Sequence, residues 1–300
     1  MHETSRKEKK ERPGIAVFAY SEVGYVCLEE LLRRGANVRI VFTHTDDPAE
    51  NIWFRSVREL AEANGIPART DGRIGAEAIR ALREAGTDLL LSFYYRAIVP
   101  KEALDVPRLG AYNMHGALLP KYRGRACVNW AVLNGETETG ATLHVMTEHA
   151  DRGDIVAQEV VPIDYGDTAL DVFRKVAEAA RDIIARTLPL LESGSAPRTP
   201  QDETRATTFG RRRPEDGLID WSKTAARIYD QVRALTHPFP GAFAEIEGQK
   251  TFIWRARPLP GAAEPGAIVS RTPLVVGTGE GLLEIERLQR EGEEERADLQ

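Results

Sequence analysis

Asn113 and His115 stand two residues apart within the stretch GAYNMHGALLPKYRGR, from Gly110 to Arg125. In an extended segment both side chains, with Ala111, leave the same face of the strand. Gly116 follows at once and reads as room for a ligand. A carboxamide beside an imidazole suits attack on a carbonyl, because the amide N–H can hydrogen-bond a developing oxyanion while the imidazole moves a proton. Taken without other motifs, the plainer reading is a turn-capping asparagine and a half-buried packing histidine, since both residues favour turns for local hydrogen-bonding reasons.

The elements that would position this pair can be read from hydropathy spacing. Ile15 to Tyr20 (IAVFAY), Val38 to Thr43 and Asp88 to Phe93 (DLLLSF) are short apolar runs fit for buried parallel strands. Helical spacing separates them, in the run ending at Gly35, in Ile52 to Asn64, and in Ile74 to Ala85 before Gly86. Such alternation predicts an α/β fold, an open and mostly parallel Rossmann-like sheet that binds ligands at the strands' carboxyl ends. The first turn, SEVGY, has one glycine where a dinucleotide fingerprint needs three, so no nicotinamide or flavin site is expected there. After the central stretch, Ala126 to Leu133 reads as a helix, Thr139 to Thr147 and Asp154 to Ile163 as strands, and HADRGD as the turn between them. A long helix follows, opened by Thr168-x-x-Asp171 as a capping box.

The boundaries expected are a tail over 1–13, a catalytic domain over 14–192, a linker over 193–206 and a second domain over 207–300. The last contains a helix, Trp221 to Leu235, then short alternating segments that predict a small OB-like β-barrel. GTGEG at Gly277 to Gly281 reads as a hairpin turn, and the final EGEEERADLQ as a frayed, charged end.

Composition narrows the function classes. The 300 residues carry 42% hydrophobic and 29% charged side chains, and no stretch nears the ~20 apolar residues of a membrane span. The charged N-terminus lacks a secretory core, and two isolated cysteines, Cys27 and Cys127, make neither a disulfide framework nor a zinc site. A cytoplasmic location follows as the expectation. A net charge of -6 gives no general reason to hold nucleic acid. His44, His144, His149 and His237 lack ligand-like spacing, so no metal is predicted.

NMHGALLPKYRGR, with FAY at Phe18 to Tyr20, FTHTDDP at Phe42 to Pro48, SFYYR at Ser92 to Arg96, NGETETGATLH at Asn134 to His144, TTFGRRRPEDG and HPFPGAF, resembles the folate-dependent formyltransferases. Within that family the nearest branch is the formyltransferase domain of the bifunctional UDP-4-amino-4-deoxy-L-arabinose enzymes of lipid A modification; methionyl-tRNA formyltransferases are related. The resemblance implies formyl transfer from 10-formyltetrahydrofolate to an amine, with Asn113, His115 and Asp151 as catalytic residues. Asn113 would donate to the oxyanion, His115 would donate to it and shuttle the amine proton, and Asp151 would orient the ring. Sequence spacing alone does not join Asp151 to His115. The implied folate site falls on Ala97, Ile98, Val99, Arg125, Thr147, Glu148, His149, Ala150 and Asp151, loops whose backbone groups would read a flat pterin. Ala117 replaces the family's usual serine and Cys127 its usual proline. Direct transfer needs no covalent intermediate, so Cys127 is not read as a nucleophile.

For the acceptor, the loop after the second strand, THTDDPAENIW, carries Asp46, Asp47 and Glu50 and no Lys or Arg. The tRNA enzymes resemble one another in a longer basic insertion there, as phosphate contacts require. An amino-sugar nucleotide is therefore the expected partner, UDP-4-amino-4-deoxy-L-arabinose before others. The alternatives are methionyl-tRNA and a catalytically silent binding module. The resemblance also leaves two forms open, a stand-alone enzyme and a piece of a longer bifunctional one.

Overall fold

A computed structural model describes residues 12–297. The first part of the chain runs β1 (Ile15–Ala19), α1 (Ser21–Arg33), β2 (Val38–Phe42), α2 (Val57–Ala63), β3 (Ala68–Arg69), α3 (Ala76–Glu84), β4 (Leu89–Phe93), α4 (Lys101–Leu104) and β5 (Ala111–His115). It continues through β6 (Arg123–Gly124), α5 (Cys127–Leu133), β7 (Glu138–Val145), β8 (Ile155–Pro162) and α6 (Ala169–Ser193). The expected mostly parallel sheet is present: seven strands in the order β3-β2-β1-β4-β5-β7-β8, with β7 alone running antiparallel to the rest, so that it pairs antiparallel with both β5 and β8. The order reverses between β1 and β4, which opens a crevice at their carboxyl ends.

Alternation along the strands supplies both faces of the sheet. Val17, Ala19, Leu91, Phe93, Tyr112 and Met114 point into one buried cluster, with apolar residues of α1 and α6. Ala16, Phe18, Ile40, Phe42, Leu90 and Ala111 point into the other, with residues of α3 and α4. All five residues of β1 are fully buried, as a central parallel strand covered by helices on both sides requires. The capping box at α6 is formed, with the Thr168 side chain accepting from the Asp171 N–H and the Asp171 carboxylate accepting from the Thr168 N–H.

Several readings shift, among them the helix expected over 221–235, which starts only at Ala225 after Thr224 caps it. The helix expected over 52–64 starts only at Val57, after Ser56 caps it, and residues 52–56 are irregular because Trp53 and Phe54 turn into an aromatic cluster. Two-residue β3, too short for a periodic signal, forms the sheet edge. At the ends, residues 1–11 and 298–300 lie outside the described residues. Arg12, placed in the expected tail, pairs with Glu192 and donates to the Arg34 and Gly35 carbonyls. In the expected frayed end, Arg296 and Ala297 form strand pairs with Leu288 and Arg287.

The second part comprises β9 (Thr208–Phe209), α7 (Ala225–Leu235), β10 (Ala242–Ile246), β11 (Gln249–Leu259), β12 (Ile268–Arg271), β13 (Leu274–Gly277), β14 (Leu282–Arg290) and β15 (Arg296–Ala297). It is an antiparallel sheet in the order β10-β11-β14-β13-β12, with β15 added to β14. Among the described residues no ladder closes it, so it is an OB-like sheet rather than a sealed barrel. GTGEG makes the β13–β14 turn, as its composition predicts.

Candidate active site

β5 carries Asn113 and His115 on one face, between parallel β4 and antiparallel β7. Its register sets Asn113 opposite His144 and His115 opposite Thr142. Thr142 fixes the chain beyond β5, since its Oγ1 donates to the Ala117 carbonyl (2.6 Å) and accepts from the Leu119 N–H (3.2 Å).

His115 is buried, and its Nε2 lies 2.8 Å from the Tyr122 carbonyl. A carbonyl only accepts, so Nε2 carries the proton and the neutral ring has its lone pair on Nδ1. Nδ1 faces the Asp151 carboxylate at 3.6 Å. The donor expected from His115 to an oxyanion is therefore committed to Tyr122, and the free basic nitrogen is the one beside Asp151.

Asp151 sits in the turn after β7 with φ 58°, a left-handed conformation uncommon outside glycine. Its Oδ2 accepts from the Gly124 N–H at 2.9 Å, and Oδ1 stands 3.6 Å from His115 and 3.5 Å from His144. Burial alone would raise its pKa. The neighbouring His115 and His144 imidazoles and the Gly124 N–H outweigh that and hold it well below the usual carboxylate range.

From sequence His144 is weighed only as a metal ligand and as the end of a family motif, not as part of this site. Its Nδ1 donates to the Val145 carbonyl (2.9 Å), leaving Nε2 to accept from Asn113 Nδ2 at 3.1 Å. Asn113, His115 and Asp151 thus meet in one cluster, with His144 bridging Asn113 to Asp151. Only the antiparallel register of β5 and β7 reveals it.

Gly116 departs from its expected use. A Cβ there would lie 1.7 Å from the Tyr94 hydroxyl and 3.3 Å from the Cys127 sulfur, so the missing side chain admits Tyr94, not a ligand. That hydroxyl is buried without an oxygen or nitrogen partner, and Cys127 is its polar neighbour. Burial, reinforced by the Asp151 charge, pushes the Cys127 thiol up to about 12, which keeps it neutral and unreactive. Cys127 opens α5, with Ala126 before it at φ 54°.

The residues expected to line a folate site fall on two loops, one beside Arg125 and one leading into Asp151. Arg125 Nη2 donates to the Arg96 carbonyl (3.2 Å), beside Ala97, exposed Ile98 and buried Val99. Thr147 to Ala150 form the exposed turn leading to Asp151, closed by the Thr147 hydroxyl on the His149 carbonyl. No described contact engages the His149 ring.

The crevice beyond β1, β2 and β4 is aromatic. Tyr20 donates to Asp46 (2.7 Å), Arg96 stacks over the Tyr20 ring and pairs with Glu50, and His44 stacks on Tyr95 at 4.2 Å. Burial, then the Arg96 charge, lowers the His44 pKa, and its neutral Nε2 accepts from the Arg96 N–H. Trp53 packs against Phe54, Phe173 and Phe239, closing the crevice from the second part of the chain. Among the described residues no group of three or more His, Cys, Asp or Glu is placed to hold a metal.

Comparison with known proteins agrees with this architecture. WlaRD, a sugar 3N-formyl transferase solved with dTDP and 5-N-formyl-THF, has a TM-score of 0.73 at 20% identity, over 95% of this chain and all of that one. An N-formyltransferase from Helicobacter canadensis, in complex with folinic acid and dTDP-3-aminofucose, gives 0.74 at 21% identity, over 90% of this chain and 98% of its own. HypX from Aquifex aeolicus, solved with tetrahydrofolic acid, gives 0.66 at 19% identity, and this chain spans 46% of its length. At these identities the likeness shows the fold. The formyl transferase family model matches residues 15–188 and the formyl transferase C-terminal domain model residues 212–297, and with more than half its length matched by the first alone, the chain belongs to the formyl transferase family.

Proposed function

We propose that this protein transfers the formyl group of 10-formyltetrahydrofolate to the amine of an amino-sugar nucleotide. The observation that carries the reading is the His115–Asp151 contact beside Asn113, a grouping that would serve as base, counter-charge and amide donor. The amine lone pair attacks the formyl carbon, a C–N bond forms, and the carbonyl electrons move to oxygen. Asn113 has one N–H committed to His144, and its second N–H donates to that oxyanion. The amine proton passes to His115 Nδ1, where the Asp151 carboxylate stabilises the cation. As the intermediate collapses, the bond from carbon to the folate nitrogen breaks and that nitrogen takes the proton from His115. Loops 97–99 and 147–151, with Arg125, would hold the folate.

Support for a sugar nucleotide comes from the acceptor-side crevice. Its aromatic surfaces suit a sugar ring or a base, and the loop over 43–53 has no Lys or Arg to meet tRNA phosphates. WlaRD and the Helicobacter canadensis enzyme, whose fold this chain shares, were solved with dTDP or a dTDP-sugar. The sequence resemblance places UDP-4-amino-4-deoxy-L-arabinose first among acceptors. The test incubates the protein and 10-formyltetrahydrofolate with that compound, with dTDP-linked amino sugars, and with charged initiator tRNA, and reads formylation by mass. Formylation of a sugar nucleotide alone supports the reading; a formylated tRNA, or no product with any acceptor, overturns it.

A further inference from the structure

The segment expected to be a plain domain linker, 193–206, reaches into the active site. Gln201 Nε2 donates to the Asp151 carbonyl (2.9 Å) and to the Gly153 carbonyl (2.7 Å), bracketing the turn that holds Asp151 at positive φ. Its Oε1 accepts from Arg123 Nε (3.2 Å) and Nη2 (2.7 Å), so both N–H donors and the acceptor of the amide are used. The Arg123 side chain is 3% exposed and also pairs with Glu203, in the same segment.

Arg123 occupies a telling place in the sequence. Tyr122, before it, supplies the carbonyl that fixes the His115 tautomer, and Gly124, after it, supplies the N–H that holds the Asp151 carboxylate. The backbone of this stretch is laced to the same segment and its continuation: Tyr122 N–H donates to Thr207 Oγ1, Arg123 N–H to the Thr207 carbonyl, and Arg125 N–H to the Phe209 carbonyl. Thr199 pairs with Ile155 beyond the aspartate turn.

We propose that Gln201, held by Arg123, is a positioning residue that keeps the Asp151 carboxylate facing His115, so that the segment between the two parts of the chain belongs to the active-site scaffold. The amide is required rather than a carboxylate, because Asp151 and Gly153 present two carbonyl oxygens that only a donor can satisfy. Asp151 in a left-handed conformation needs such an outside hold.

The inference rests on the proposed formyl transfer for its kinetic readout, and a second readout is independent of activity. kcat and KM are measured for wild type, Q201A, D151N and the double variant, together with the ring ¹⁵N shifts of His115 and His144 at one pH. Q201A is expected to lower kcat by on the order of 10-fold or more while KM moves little, as for a misplaced catalytic group. In the D151N background it should add nothing, because it acts through Asp151. The ring shifts of Q201A should move towards those of D151N. Wild-type kcat in Q201A, an equal loss in both backgrounds, or unmoved ring shifts each overturn the inference. If no variant transfers a formyl group, the proposed function has failed and the ring shifts still decide the clamp. Should Q201A not fold, the isosteric Gln201→Glu sets a carboxylate against the two carbonyls; it is expected to shift the same rings, and unmoved rings overturn the inference there too.

Discussion

Asn113 and His144 face each other across the antiparallel β5–β7 pair, with Asn113 Nδ2 donating to His144 Nε2 at 3.1 Å. One amide hydrogen is thereby spent on orienting the group and the other is aimed. Asn113→Ala should lower kcat by about 10² to 10³, the usual loss of an oxyanion donor. His144→Ala should lower it by up to about 10², the scale of a misplaced group. The double variant should be no worse than Asn113→Ala alone, and additive losses in steady-state kinetics would show that His144 acts elsewhere.

Asp151 makes the protein's stability pH-dependent in a defined direction. Its folded pKa lies below the unfolded carboxyl value of about 3.9, so its contribution is whole above that value and is lost as pH falls from there towards the folded pKa. Urea unfolding at roughly pH 7 and pH 3 should therefore show Asp151→Asn less stable at the higher pH, with the gap to wild type narrowing at the lower. A gap that stays constant contradicts the depressed pKa.

Gly116→Ala forces a methyl into the Tyr94 hydroxyl and should destabilise by about 1–3 kcal/mol, the usual cost of overpacking. Tyr94→Phe removes the atom in the way, so the double variant should recover part of the loss in thermal or urea melts. Absence of any recovery would place the strain in the backbone instead.

Cys127 should resist alkylation in the folded protein near neutral pH, because burial and the neighbouring Asp151 charge suppress its thiolate. Mass spectrometry after iodoacetamide treatment, native and unfolded, checks this. Rapid native modification would mean that the α5 start opens. Cys127→Ala should leave formyl transfer within about twofold of wild type, since no covalent step passes through the thiol.

Much of the scaffold can be read along the chain. The apolar runs at Ile15, Val38 and Asp88 became β1, β2 and β4 because strands covered on both faces must be continuously hydrophobic, and Thr168-x-x-Asp171 opened α6 because a capping box is purely local. Asn113 and His115 shared a face because a strand's side chains repeat every second residue. These are short-range rules, and neighbouring residues suffice to state them.

What only the tertiary structure decided is which distant groups meet. Strand register set His144 against Asn113, chain reversal carried Asp151 to His115, and folding back of the segment after α6 set Gln201 on the Asp151 turn. None of these follows from spacing, since a turn or crossover of any length can join the same partners. Gly116 marks the same boundary: its lack of a side chain is visible in the sequence, but that Tyr94 and not a ligand fills the space depends on how β4 and β5 pack.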